Sequence, residues 1–114
     1  MMIQILHNPR CRKSREGLVL LEDEGIDFEV IKYLDNPISV WELKNIIAKL
    51  GITPLELVRK NEAIWKSDYK GKELSDEAII NAMVANPKLI ERPIIINNNK
   101  AVIGRPKDAI KTIL

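Results

Sequence analysis

The chain predicts an α/β fold built on a mixed four-stranded sheet, and three observations carry that prediction. Short apolar, strand-like runs lie near both ends, at 2–6 and 28–33 and again at 94–96 and 101–103. A helix-spaced segment joins the first two runs into a β-α-β unit, which implies parallel strands and a right-handed crossover. The middle, about 38–90, carries helix-start signals and no strand pattern.

The elements follow in order. Ile3, Ile5 and Leu6 mark the first strand, read over 2–6. A helix is expected over 12–24, with Leu18 and Leu21 turned inward and Gly25 as its stop. The second strand is read over 28–33, ended by Asn36-Pro37. Ser39 and Glu42 then form a capping box, with Ile38 and Leu43 spaced as a hydrophobic staple. Leu43, Ile46, Ile47 and Leu50 continue at helical spacing until Gly51. Thr53, Pro54 and Glu56 repeat the device, with Ile52 and Leu57 as staple. The stretch 61–74 has Gly71 and mixed charges and is expected to be irregular. Ser75 opens a further helix, which stops before Asn86-Pro87. The third and fourth strands flank an Asn97-Asn98-Asn99 turn, where asparagine tolerates the positive φ of a tight hairpin. Gly104-Arg105-Pro106 then leads into a closing helix that runs to Leu114. Trp41 and Trp65, both in the helical middle, are expected to serve packing.

This order, β-α-β, helical insert, β-β-α, is a thioredoxin-like layout with a helical subdomain spliced in at about 38–90. At 114 residues the chain is read as one domain, large enough for one core. Hydrophobic content of 46% and charged content of 30% are ordinary for a water-soluble protein. No apolar run is long enough to span a membrane and no secretory leader is evident, so a cytoplasmic setting is expected. A net charge of +2 gives no argument for nucleic acid. There are no repeats, no metal centre or bound cofactor is expected, and a monomer is expected.

The chemistry concentrates at Cys11, the one cysteine of the chain, placed where the first strand hands over to a helix. A thiol there meets the positive end of the helix dipole and the free N–H groups of the first turn. Both lower its pKa, and Arg10, Arg12, Lys13 and Arg15 push the same way. A lone cysteine is by default a buried structural residue, but one flanked by Pro9, Arg10, Arg12 and Lys13 is hard to bury among apolar neighbours. The helix itself is charged against its dipole, with Arg12, Lys13 and Arg15 at its start and Glu22, Asp23 and Glu24 at its end. Each such placement forgoes about 0.3–1 kcal/mol, and an i,i+4 pair of Arg12 with Glu16 recovers a little. A thiolate or an oxyanion at the helix start would relieve the repulsion.

HNPRC at 7–11, RKN at 59–61, ERP at 91–93 and GRP at 104–106, taken together and in order, resemble the glutaredoxin-linked arsenate reductase family over essentially the whole chain. The resemblance implies that Cys11 is the nucleophile and that Arg59, Arg92 and Arg105 cradle an oxyanion. It implies that His7 and Ser14 hold and tune the thiolate and that the Arg92-Pro93 bond is cis. Guanidinium forks suit tetrahedral oxyanions such as arsenate, which they bind bidentately and with permanent charge. Each arginine alone reads as a surface residue; the set around one thiol reads as a site.

The mechanism so implied has Cys11 attacking arsenic(V), glutathione adding as co-substrate, and a Cys11–glutathione mixed disulfide resolved by glutaredoxin. Because no second cysteine is present, an external thiol must do the resolving. Arg10, Arg12 and Lys13 crowd the cysteine, where plasmid-type members have small or neutral residues; this resembles a chromosomal branch and leaves open another small oxyanion or a glutathione mixed disulfide as substrate. Two other classes stay open. One is a regulatory binding module of Spx type that contacts RNA polymerase, although Ser14 occupies the second position of its Cys-x-x-Cys switch. The other is a monothiol glutaredoxin-like reductase.

Overall fold

The computed structural model describes residues 3–114, so Met2, expected to open the first strand, lies outside the described residues. The chain divides into two compact units, one formed by residues 1–36 with 92–114 and the other by 37–91.

The first unit holds a four-stranded mixed sheet in the order β2-β1-β3-β4. Its strands are β1 (Ile3–Leu6), β2 (Phe28–Ile31), β3 (Ile94–Asn97) and β4 (Lys100–Ile103). β1 pairs in parallel with β2, Ile5 opposite Val30, and antiparallel with β3, Ile5 opposite Ile95. The burial of each strand follows from its place. β1 and β3, the central pair, are apolar and almost wholly buried, whereas the edge strands β2 and β4 keep exposed or half-buried residues. β2 ends at Ile31, two residues short of the expected limit, and Tyr33 is buried beyond the strand. The hairpin β3-β4 turns at Asn98 with φ 58°, as asparagine chemistry predicts.

Helix α1 (Arg12–Asp23) packs its Leu20 and Leu21 with Ile3, Ile5, Ile95 and Ile110 into the core of this unit. Each fully buried side chain of that size contributes about 1.5–3 kcal/mol. Leu18 is only half-buried at the margin, and Gly25, with φ 66°, follows the helix end as expected. The closing segment is a 3-10 helix, Lys107–Ile113. Ile110 and Ile113, three apart, both reach the core, which is the spacing that three residues per turn align on one face.

The second unit is helical. Helix α2 (Val40–Leu50) begins at the Ser39–Glu42 capping box and ends at Gly51 in the left-handed region, φ 68°. Thr53 and Glu56 form the second box, over a 3-10 turn at Pro54–Leu57. Helix α4 (Asp76–Ala85) starts at the Ser75 cap and packs against α2 and against the 3-10 turns Pro54–Leu57 and Pro87–Leu89. The stretch 61–74, expected to be irregular, contains helix α3 (Ala63–Asp68). Its stability is tertiary: Trp65 is buried and stacks on Tyr69 at 5.5 Å, and the Glu62 cap makes no side-chain hydrogen bond that would announce the helix. Trp65 thus packs as expected, but Trp41 does not, standing 74% exposed on α2. Among the described residues no helix is long and apolar enough to cross a membrane.

Candidate active site

The loop between β1 and α1 is fixed by hydrogen bonds that start from its own sequence. His7 N–H extends the ladder to Ile31 C=O at 2.9 Å, and Cys11 N–H closes a turn on Asn8 C=O at 3.0 Å. Asn8 Oδ1 accepts from Arg10 N–H at 3.0 Å, and Asn8 N–H donates to Ser14 Oγ at 2.9 Å. From the helix, Arg15 Nη1 donates to Pro9 C=O at 3.1 Å. Asn8 is thus a positioning residue with no role expected from the sequence, and Arg15, expected to act on the thiol by its charge, also braces the loop. The Asn-Pro dipeptide was the available signal, since an asparagine side chain that folds back on the backbone two residues on makes such turns.

Cys11 is the N-cap residue of α1, half-buried, with extended backbone. Partial burial pushes its thiol up, but the Ser14 N–H, the charge and side chain of Arg92, and the Lys13 N–H together outweigh that and hold it below the ordinary thiol value. The first turn of α1 contains no acid and its last turn no base, so the helix is charged against its dipole as read from the sequence.

His7 and Ser14 are buried side by side, His7 Nδ1 lying 2.8 Å from Ser14 Oγ. Burial lowers the His7 pKa first; Ser14 opposes it, and the charges of Lys32 and Arg15 add to the lowering. The imidazole is therefore neutral near pH 7. The Ser14 hydroxyl is engaged by His7 and Asn8, and what Ser14 offers the sulfur is its backbone N–H.

Two arginines reach this end of the sheet through the hairpin. Leu6 at the end of β1 pairs with Ile94, which pairs with Ile103. Arg92, just before β3, and Arg105, just after β4, therefore emerge at the end where Cys11 follows β1. Arg92 is 8% exposed and acts on the Cys11 sulfur. Arg105 is exposed, and the adjacent Gly104 N–H is bonded to Pro93 C=O at 2.9 Å, tying its loop to that of Arg92. Both the Arg92-Pro93 bond, as expected, and the Arg105-Pro106 bond are cis. The Pro93 ring lies against two glycines: a Cβ on Gly17 or on Gly104 would stand 3.0 Å from Pro93 Cγ. Glycine lets α1 and the β4 exit close on the proline next to Arg92.

The remaining two candidates each have a carboxylate close by. Arg12 is solvent-exposed and pairs with Glu16 at 3.4 Å; it is not among the groups that lower the thiol pKa, contrary to its expected tuning role. Its long side chain gains more from the i,i+4 carboxylate and water than from folding back over the helix start. Arg59 belongs to the helical unit, where its guanidinium lies 3.7 Å from Glu62 and 4.0 Å from Glu91, and its N–H donates to Leu89 C=O at 2.7 Å. Among the described residues no group of three or more His, Cys, Asp or Glu side chains could hold a metal ion.

The model of the ArsC family matches residues 6–113. The chain is 45% identical to the Escherichia coli K12 protein YfgD, covering 98% of this chain and 96% of that one. It is 43% identical to an arsenate reductase of Neisseria meningitidis, covering 98% and 97%. Among solved structures, the arsenate reductase from Vibrio cholerae superposes with a TM-score of 0.95 at 46% identity, covering 100% of this chain and 98% of that one.

Proposed function

This chain belongs to the ArsC family, and from that premise we propose that it is an oxidoreductase that reduces arsenate to arsenite. The observation that carries the reading is the lowered pKa of Cys11 beneath Arg92 and the N–H groups of Ser14 and Lys13. An arrangement that stabilises a sulfur anion also stabilises negative oxygens on a group bonded to that sulfur.

In the proposed reaction the Cys11 thiolate displaces one oxygen of arsenate as water, forming a sulfur–arsenic(V) bond. Arg92 and Arg105 neutralise the oxyanion, with Arg59 as the third arginine implied by the motif order. Glutathione adds its thiol to the arsenic. The sulfurs of Cys11 and glutathione then join, two electrons pass to arsenic, and arsenite leaves. Summed, arsenate and two thiols give arsenite, water and one mixed disulfide. Glutaredoxin with a further glutathione releases Cys11, since no second cysteine in the sequence can do so. His7 and Ser14 hold the loop from which the thiolate acts. The setting proposed is the cytoplasm, with the chain as a monomer.

The test couples NADPH consumption to glutathione reductase, glutathione and glutaredoxin, with and without arsenate. Arsenate-dependent turnover that vanishes in Cys11→Ser is the expected result. Turnover retained in that variant, or consumption driven by a generic mixed disulfide and indifferent to arsenate, overturns the assignment.

A further inference from the structure

The helical unit carries a small apolar cavity with a cationic rim. Its volume is about 190 Å³, and Trp65, Leu74 and Ile79 line it beneath Lys60, Lys70 and Lys72. Trp65 and Ile79 are buried, whereas the three lysines are exposed. The aromatic wall is fixed, because Tyr69 stacks on Trp65 and its hydroxyl accepts from Asn86 Nδ2 at 3.3 Å. The rim is fixed as well. Lys70 N–H donates to Trp65 C=O at 2.8 Å, Lys72 N–H to Tyr69 C=O at 3.2 Å, and Gly71 supplies the positive φ of 83° that the turn between them demands.

No acidic side chain lines the cavity. The charge of Lys60 bears on Glu56, whose carboxylate is already engaged by Thr53. Lys70 and Lys72 form no ion pair among the described residues. Like charges gathered at the mouth of an apolar hollow repel one another unless an anionic partner arrives.

Size decides what that partner is. Ligand pockets for small molecules run to roughly 300–1,000 Å³, and this cavity is smaller, near the volume of one large side chain. We propose that it is a docking site for an acidic segment of a partner protein, one apolar side chain entering the cavity while flanking carboxylates meet Lys60, Lys70 and Lys72. The inference is independent of the reading of Cys11.

Trp65 reports occupancy directly once Trp41→Phe removes the other tryptophan. The probe is the acetylated, amidated peptide Asp-Glu-Phe-Glu-Asp, titrated at low salt while tryptophan emission is followed. Saturable change is expected, weakening several-fold at about 0.5 M salt and about tenfold in Lys70→Glu/Lys72→Glu, which alters exposed side chains only. A peptide with alanine for phenylalanine should bind weakly and one with lysines for the acids not at all. Equal binding of either control, the same response to inorganic phosphate alone, or no response to the acidic peptide overturns the proposal. An unchanged urea midpoint in the double variant separates lost binding from lost fold.

Discussion

The Ser14 hydroxyl lies 2.8 Å from His7 Nδ1, while the Ser14 N–H bears on the sulfur of Cys11. One residue thereby serves two purposes through different atoms. In Ser14→Ala the buried His7 Nδ1 and the Asn8 N–H lose their partner, at a cost of about 1–3 kcal/mol. The backbone donor to the sulfur stays. Urea denaturation should show the loss, and pH-dependent alkylation should still find the thiol below its ordinary value.

Arg92→Met keeps the length of the stem and removes the charge. The Cys11 pKa should rise, and alkylation by iodoacetamide at pH 7 should slow. Arg12→Met, by contrast, should leave that profile in place, since Arg12 is exposed and paired with Glu16. Equal effects of the two substitutions would return Arg12 to the site.

Asn8→Asp preserves the acceptor for Arg10 N–H but adds a negative charge to the turn that Cys11 closes. Stability should hold while the thiol pKa rises. Asn8→Ala should instead lower stability by about 0.5–1.5 kcal/mol, the usual worth of one such hydrogen bond. Thermal melts beside thiol titration distinguish the two.

Gly17→Ala would set a methyl group 3.0 Å from Pro93 Cγ and 3.4 Å from Ile110 Cδ1. Alanine gains about 1 kcal/mol of helix propensity, whereas overpacking costs about 1–3 kcal/mol. The proline is a ring held on the backbone, so its Cγ is not the far end of a flexible side chain that can swing aside. A net loss of up to about 2 kcal/mol is expected in urea, with a raised Cys11 pKa because the Arg92 loop moves.

Stability should depend on pH through the two lowered groups of the site, Cys11 and His7. For Cys11, whose pKa falls on folding, the contribution is complete above the ordinary thiol value of about 8.5 and is lost as pH falls through the folded-state value. His7 follows the same sign from about 6.5 downward, because its neutral form is the one the fold holds. Urea midpoints measured against pH should lose the alkaline slope in Cys11→Ser and part of the acid slope in His7→Asn.

What was legible in the chain was what local chemistry controls. The capping boxes at Ser39 and Thr53, the stop at Gly51 and the asparagine turn at 98 each depend on atoms within a few residues. Helix α3 was not legible, since it rests on the burial of Trp65 and its stack with Tyr69 rather than on a start signal. The exposure of Trp41 was equally hidden, because helical spacing does not say which apolar residue is left out of a core. Within the site, Cys11 and Arg92 could be read from the helix start and the motif order. The Arg12–Glu16 pair was legible from its i,i+4 spacing, whereas the division of labour in Ser14 is a matter of side-chain direction, which spacing alone does not encode.

The pairing of Ile5 with Ile95 joins segments from opposite ends of the chain. During synthesis β1 therefore leaves the ribosome long before the strand that covers its inner edge, with the whole helical unit emerging in between. Contacts so distant in sequence slow folding, and an apolar strand waiting with open hydrogen-bonding groups invites the wrong neighbour. Assembly of the sheet, and with it the meeting of Arg92 and Cys11, waits until β3 has emerged.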